Sequence, residues 1–303
     1  MKPSASMEQL LIEPARSEDL SEIVDLERIA WPSGACMRAE EEKFSLRIRL
    51  GMLLARSPRN GQLVGFLSTF RPRWLRADTV GKMHRCCPSE ILQKDPDECW
   101  ELLCRTYNLP RDWHDATDDG RLRGGAMHDP SGDVLFGIGI ATRPEVAGQG
   151  IAQRLLRAAL LEARRANIPY FFAYGRLPGL SRYPMLSAEQ YLGLGVRREY
   201  GVAPLDVGFR IHWGVGAQPL GCSSGAAARY ILIPDSMRDD PQSAGFGFLV
   251  VTPTGNIARY PFEALSSRCA SMSGSWPALI GAPVPGRFAV AMRTANHGQG
   301  EFR

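Results

Sequence analysis

A chain of 303 residues with 44% hydrophobic content can bury one large core or two smaller ones. Its 36 basic and 32 acidic residues leave a net charge of only +4, with the arginines scattered, so no nucleic-acid partner is expected. No stretch approaches the roughly 18 apolar residues of a membrane span, and Met1-Lys2-Pro3-Ser4 opens onto polar sequence, so no membrane contact and a cytoplasmic location are expected.

Hydropathy patterning places a first strand at Leu10–Ile12, then a helix carrying Leu20, Ile23, Val24, Leu26 and Ile29, with Ser17 as its N-cap. Leu53-Leu54-Ala55, the turn around Pro58-Arg59-Asn60-Gly61, and Leu63–Phe70 read as a hairpin through the Asn-Gly signal. A long variable insert follows at 71–132, with a helical piece near Glu98–Cys104 and a polar run from Asp112 to Asp133. Cys86, Cys87, Cys99 and Cys104 gather near His84, but adjacent cysteines at irregular spacing favour buried thiols over zinc, so no metal is expected. The seven cysteines show no repeated C-x-x-C and read as free thiols.

Val134, Leu135, Phe136, Ile138, Ile140 and Ala141 then form a short apolar run, a buried strand over Asp133–Thr142 that Gly137 and Gly139 interrupt. From Ile151, the spacing of Leu155, Leu156, Ala159, Leu160 and Ala163 predicts an amphipathic helix, with Gln153, Arg154, Arg157, Arg164 and Arg165 on its other faces. Between strand and helix lies Ala147-Gly148-Gln149-Gly150-Ile151-Ala152. Glycines at the start of a helix let an anion approach the first N–H groups, which have no partner inside the helix and sit at the positive end of its dipole. A pyrophosphate can bind such a turn without a lysine. No Gly-Lys-Ser/Thr follows, which disfavours a P-loop, and no acidic residue closes the next strand as a dinucleotide fold requires.

Thr142-Arg143-Pro144-Glu145, the Gly-Gln-Gly-Ile-Ala turn, the Leu155-Leu156 pair and a new strand at Pro169–Tyr174 resemble motif A of the GNAT acyl-CoA transferase superfamily. The resemblance implies an α/β (α+β) GNAT fold, a mixed central sheet splayed between the parallel strands Asp133–Thr142 and Pro169–Tyr174 and flanked by helices. It implies a coenzyme A thioester as substrate, held by Ile140, Ala141, Thr142, Ala147, Gly148, Gln149, Gly150, Ile151 and Ala152. The Arg or Gln that usually opens the motif is Ala147 here, so one charge-assisted phosphate contact is missing. Trp113, His128-Asp129-Pro130-Ser131-Gly132-Asp133, Gly175-Arg176-Leu177-Pro178-Gly179, Ser187-Ala188-Glu189-Gln190-Tyr191, Asp206 through His212, Gly216-Ala217 and Gly245-Phe246-Gly247 extend the match. They resemble a GNAT subgroup that includes domains beside carbon-nitrogen hydrolases and the GNAT-like loading or decarboxylase domains of polyketide initiation modules. The domain is expected over 1–253, and 254–303, rich in Ser, Pro, Gly and Ala, as an extension or linker.

Chemistry belongs at the acyl end of the pantetheine. Transfer to an amine needs a base near neutrality and an N–H for the developing oxyanion. Loss of CO2 from a malonyl thioester needs a donor for the enolate and a cation for the carboxylate. His212, with an ordinary pKa near neutrality, suits either scheme, unless it is a structural His on a strand. By resemblance, Trp31 lies beside the acyl group and Arg238 holds a malonyl carboxylate, while a Thr that acts with the His aligns with Gly175. Tyr174 or Ser181 then offers a substitute hydroxyl. Three readings stand: an enzyme of polyketide-initiation type that takes acetyl- or malonyl-CoA and supplies an acyl carrier protein or adjoining synthase domains; an N-acetyltransferase with His212 or Glu189 as base; and a silent module that binds CoA or a partner.

Overall fold

In the computed structural model, which describes residues 10–31, 40–85, 96–198, 201–219, 228–237 and 240–255, strand β3 (Leu63–Phe70) is buried along its whole length. Its side chains divide between two cores: Leu63 and Phe66 pack under helices α1 (Leu20–Ala30) and α2 (Glu41–Gly51), while Val64 and Leu67 pack under a third helix on the opposite face, the bulge in the β2–β3 register beside Val64 breaking strict alternation. That third helix is Ile151–Arg165, and its buried stripe of Ile151, Leu155, Leu156, Ala159, Leu160 and Ala163 follows the predicted spacing.

The sheet has eight strands among the described residues. In spatial order they are β1 (Leu11–Pro14), β2 (Met52–Arg56), β3, β4 (Val134–Thr142), β5 (Tyr170–Arg176), β10 (Gly245–Pro253), β9 (Ala228–Met237) and β8 (Ala217–Pro219). Neighbours run antiparallel except β4 with β5 and β8 with β9, which are parallel. A separate ribbon pairs β6 (Gly195–Arg198) with β7 (Gly201–Pro204). The β2–β3 hairpin and the strand–helix–strand unit fall where the sequence places them, although β5 continues to Arg176. Ser17 is not the cap of α1: residues Ser17–Asp19 form a 3-10 turn, and the helix starts after Asp19.

The insert is core. It folds as α3 (Ala77–Arg85), α4 (Pro96–Tyr107) and α5 (Trp113–Thr117). Leu75, Val80, Met83, Trp100, Leu103 and Trp113 pack with Phe136, Phe172 and Tyr174 from β4 and β5. The run from Asp112 that reads as polar hides Trp113, Ala116 and Leu122. On the opposite face the helix from Ile151, here α6, shares a core with α7 (Ala188–Leu192) and α8 (Val207–Trp213). Cys99 is buried in the insert, and burial pushes the Cys104 thiol up to about 12, which fits unreactive thiols; Cys86 and Cys87 lie outside the described residues. Residues 256–303 lie outside them as well.

Candidate functional site

The centre of the sheet opens. Parallel pairing of β4 with β5 runs from Val134↔Tyr170 to Gly137↔Ala173 and goes no further. Beyond that point β4 stays with β3, pairing Gly139, Ile140, Ala141 and Thr142 with Ser68, Leu67, Phe66 and Gly65. Strand β5 stays with β10, pairing Tyr174, Gly175 and Arg176 with Leu249, Phe248 and Gly247. The two strands therefore diverge, and the facing backbone edges of Ile138–Thr142 and Tyr174–Arg176 are left without a ladder between them. Such edges can bind an extended, amide-bearing chain.

The glycine turn closes one end of this opening. Ala147 ends a 3-10 turn over Pro144–Val146, and Gly148 and Gly150 adopt φ of 82° and 75°, a region that glycine enters without steric cost. A side chain on Gly148 would meet nothing within 4 Å, so the concave side of the turn is open. The first intrahelical bond of α6 runs from the Arg154 N–H to the Gly150 carbonyl, which leaves the preceding amides free of helical partners. Ile151 seats the helix in the core, and Ala152 follows it in the first turn. Thus Ile140, Ala141 and Thr142 line one strand of the opening, and Ala147 through Ala152 form the turn and first helical residues at its end, with the Ala147 and Gln149 N–H groups donating back to the Pro144 and Val146 carbonyls.

His212 comes in on a helix, not on a strand. Asp206 caps α8 by accepting from the Phe209 N–H at 2.8 Å, and it also accepts from the Tyr191 hydroxyl at 2.9 Å and the Gly179 N–H at 3.3 Å. The buried imidazole packs on the Phe248 ring at 5.4 Å in a T-shaped contact, and its Nδ1 has no hydrogen-bond partner among the described residues. Burial pushes its pKa down to about 4, so the group is neutral at pH 7 instead of poised between charge states. The same Phe248 ring covers Gly175, where any Cβ would collide with it. An aromatic ring therefore fills the place beside His212 that a hydroxyl on residue 175 would need. Tyr174 does not substitute, because it is buried with its hydroxyl donated to the Pro110 carbonyl at 2.7 Å; Ser181 is exposed, as is Glu189 on α7. Arg238 lies outside the described residues.

Trp31 stands at the C-terminal end of α1 and packs against Arg176, whose guanidinium carbon lies 4.7 Å from the indole centroid. Gly175 and Arg176 are successive on β5, so they serve opposite faces of the strand. His212 and Trp31 accordingly flank the end of the opening from its two sides and do not touch one another. The sequence reading missed Glu27, Arg47 and Asp240. Glu27 was visible in principle, because it falls four residues after Ile23 on the apolar stripe of α1, where a carboxylate is out of place. Arg47 breaks the stripe of α2 in the same way, three residues after Phe44, and donates to the Gly120 carbonyl at 3.1 Å.

Residues 77–178, which include β4, the turn, α6 and β5, match the model of the Acetyltransferase (GNAT) family. Among solved structures, the loading GNATL domain of CurA from Lyngbya majuscula is similar over 82% of this chain and 99% of its own, at 17% identity and a TM-score of 0.52. The GphF GNAT-like decarboxylase in complex with isobutyryl-CoA is similar over 80% of this chain and 99% of its own, at 22% identity and a TM-score of 0.50. These likenesses establish the GNAT fold. A curated relative, a probable hydrolase, YhcX, of Bacillus subtilis (strain 168), is 23% identical over 61% of this chain; the match spans only 29% of that relative's length.

Proposed function

We propose that this protein, with a GNAT fold and a match to the GNAT family model over residues 77–178, takes an acyl group from a coenzyme A thioester and passes it to an acyl carrier protein thiol, as in polyketide initiation. One observation carries the reading: the divergence of β4 from β5 beyond Gly137 and Ala173, with a positive-φ glycine turn at its end. The amides of Gly150 to Gln153, which have no intrahelical partner, offer donors to a pyrophosphate, and the facing edges of β4 beyond Ile138 and of β5 offer partners to the pantetheine amides. The loading GNATL domain and the GNAT-like decarboxylase with which this chain shares a fold are what favour a carrier thiol as acceptor.

His212 acts as a neutral imidazole. A group with a pKa near 4 is a poor proton acceptor at pH 7, but its ring N–H can donate to a thioester or enolate oxygen as negative charge builds there. Trp31 supplies an apolar wall on the other side of the opening. Arg176 is bound in a bidentate pair with Asp240, at 2.8 Å through each nitrogen, so its charge is already matched. The Phe248 ring over Gly175 and the paired state of Arg176 make simple acyl transfer the better-supported reaction, with malonyl decarboxylation the second.

Mass spectrometry of the protein with acetyl-CoA or malonyl-CoA and a holo carrier protein tests this, with small amines as the competing acceptor. Acyl-carrier formation that falls about 100-fold in His212→Ala, the scale of one lost oxyanion donor, is expected. Acetyl-CoA consumption only when amines are present would overturn it in favour of N-acetylation, and no consumption of either thioester would leave a binding module.

A further inference from the structure

Glu27 is 1% exposed, and nothing in simple packing explains a carboxyl on the buried stripe of α1. It holds Trp31 twice. The indole Nε1 donates to Oε2 at 2.7 Å, and the Trp31 backbone N–H donates to the Glu27 carbonyl at 3.2 Å. Oε1 is buried with no hydrogen-bond partner among the described residues, so the carboxyl is committed to the indole and to no other donor.

The face of the same indole is held from across the opening. Arg176 lies over the ring and cannot swivel, because Asp240 grips its Nε and Nη2 and Gln242 accepts from Nη2, all at 2.8 Å. Asp240 is 2% exposed and accepts in turn from the Ser243 hydroxyl. Helix α1 packs with Phe66 of β3 and Ala141 of β4, whereas Arg176 and Asp240 belong to the β5–β10–β9 side. The chain Glu27–Trp31–Arg176–Asp240 therefore crosses from one half of the divided sheet to the other.

We infer that Glu27 is a positioning residue of the acyl subsite: by fixing the Trp31 indole against Arg176 across the opening, it sets how much the acyl group adds to the affinity for its CoA thioester. This rests on the reading of the opening as the acyl-CoA site. Glu27 touches neither the thioester nor the acceptor; it acts through Trp31. Burial raises its carboxyl from 4.5 to about 7, against the pull of Arg47, the Trp31 hydrogen bond and Lys43, so an uncharged amide mimics its protonated state below pH 7, where the titrations are run.

The test is calorimetric titration of free CoA, acetyl-CoA and isobutyryl-CoA into the wild type, Glu27→Gln, Glu27→Leu and Trp31→Phe, with melting curves on each. Glu27→Gln keeps an acceptor for the indole, whereas Glu27→Leu and Trp31→Phe each break that bond from one side. The expected result is that acetyl-CoA and isobutyryl-CoA lose about tenfold relative to free CoA in both bond-breaking variants, while Glu27→Gln stays within about threefold of wild type in that ratio. Acyl ratios unchanged in Glu27→Leu, or equal weakening of free CoA and both thioesters, would overturn the inference while leaving the site's assignment intact. A wild type that binds none of the three ligands would overturn both.

Discussion

Glu27 and His212 are buried ionisable side chains whose effects on stability run in opposite directions with pH. The carboxyl of Glu27 is raised from 4.5 to about 7 by burial, so the native state holds its proton more tightly than the unfolded chain, and this contribution falls as pH rises from 4.5 to about 7. His212 is lowered from 6.5 to about 4, so the unfolded chain binds the proton more tightly, and this contribution is lost as pH falls from 6.5 to about 4. Arg47 and Lys43 from α2 are the charges facing Glu27, and both pull its carboxyl down without offsetting burial. Replacing Glu27 by Gln removes the falling limb, so denaturant midpoints should show the variant gaining on wild type between pH 4.5 and about 7, by at most about 3 kcal/mol. A neutral His212 likewise predicts that the Glu27→Gln variant, which lacks the other group titrating near neutrality, shows no titration near pH 6.5 in kcat/KM; a limb there would mean an ordinary imidazole base. At Gly175 the constraint is steric. Gly175→Thr should destabilise by roughly 1–3 kcal/mol through the Phe248 ring, and Phe248→Leu should recover part of that loss in a double-mutant cycle.

At the scale of elements, helix α8 is short, and its place depends on its cap. Asp206 satisfies the Phe209 N–H, the Tyr191 hydroxyl and the Gly179 N–H at once, so Asp206→Ala leaves several buried donors without acceptors. A loss of roughly 2–4 kcal/mol in chemical denaturation is expected, together with a kcat defect from a displaced His212. The strand–turn–helix–strand unit around Gly148 was legible in the sequence because strand length, glycine position and helical period all point to one structure there. Helices α3 and α5 were not legible. Trp113, Ala116 and Leu122 sit among Asp, Arg and Gly, and their burial is set by the sheet they cover, which local pattern does not encode. The helical setting of His212 was missed for the same reason: residues 207–213 are too few to show a period.

For the molecule as a whole, the insert that reads as variable supplies half of the largest core among the described residues, and Trp113 ties it to the opening by donating from Nε1 to the Ile138 carbonyl at 2.8 Å. Trp113→Ala should therefore cost roughly 3–5 kcal/mol in cooperative unfolding, as a core position does and a surface insert does not. The proposed acyl end of the site is shared among α1, β5, α8 and β10, which no single sequence window contains. That is why the glycine turn could be read from spacing, while Glu27, Arg176 and Asp240 came together only in the fold. The sharpest check on the site is calorimetric titration of acetyl-CoA into wild type and Gly148→Asp, which sets a carboxylate in the open space beside the turn. Micromolar binding by wild type, weakened about 100-fold or more by the strain and like charge of the variant, is the result the structure predicts. Equal affinity in both proteins, or no binding by wild type, would contradict it.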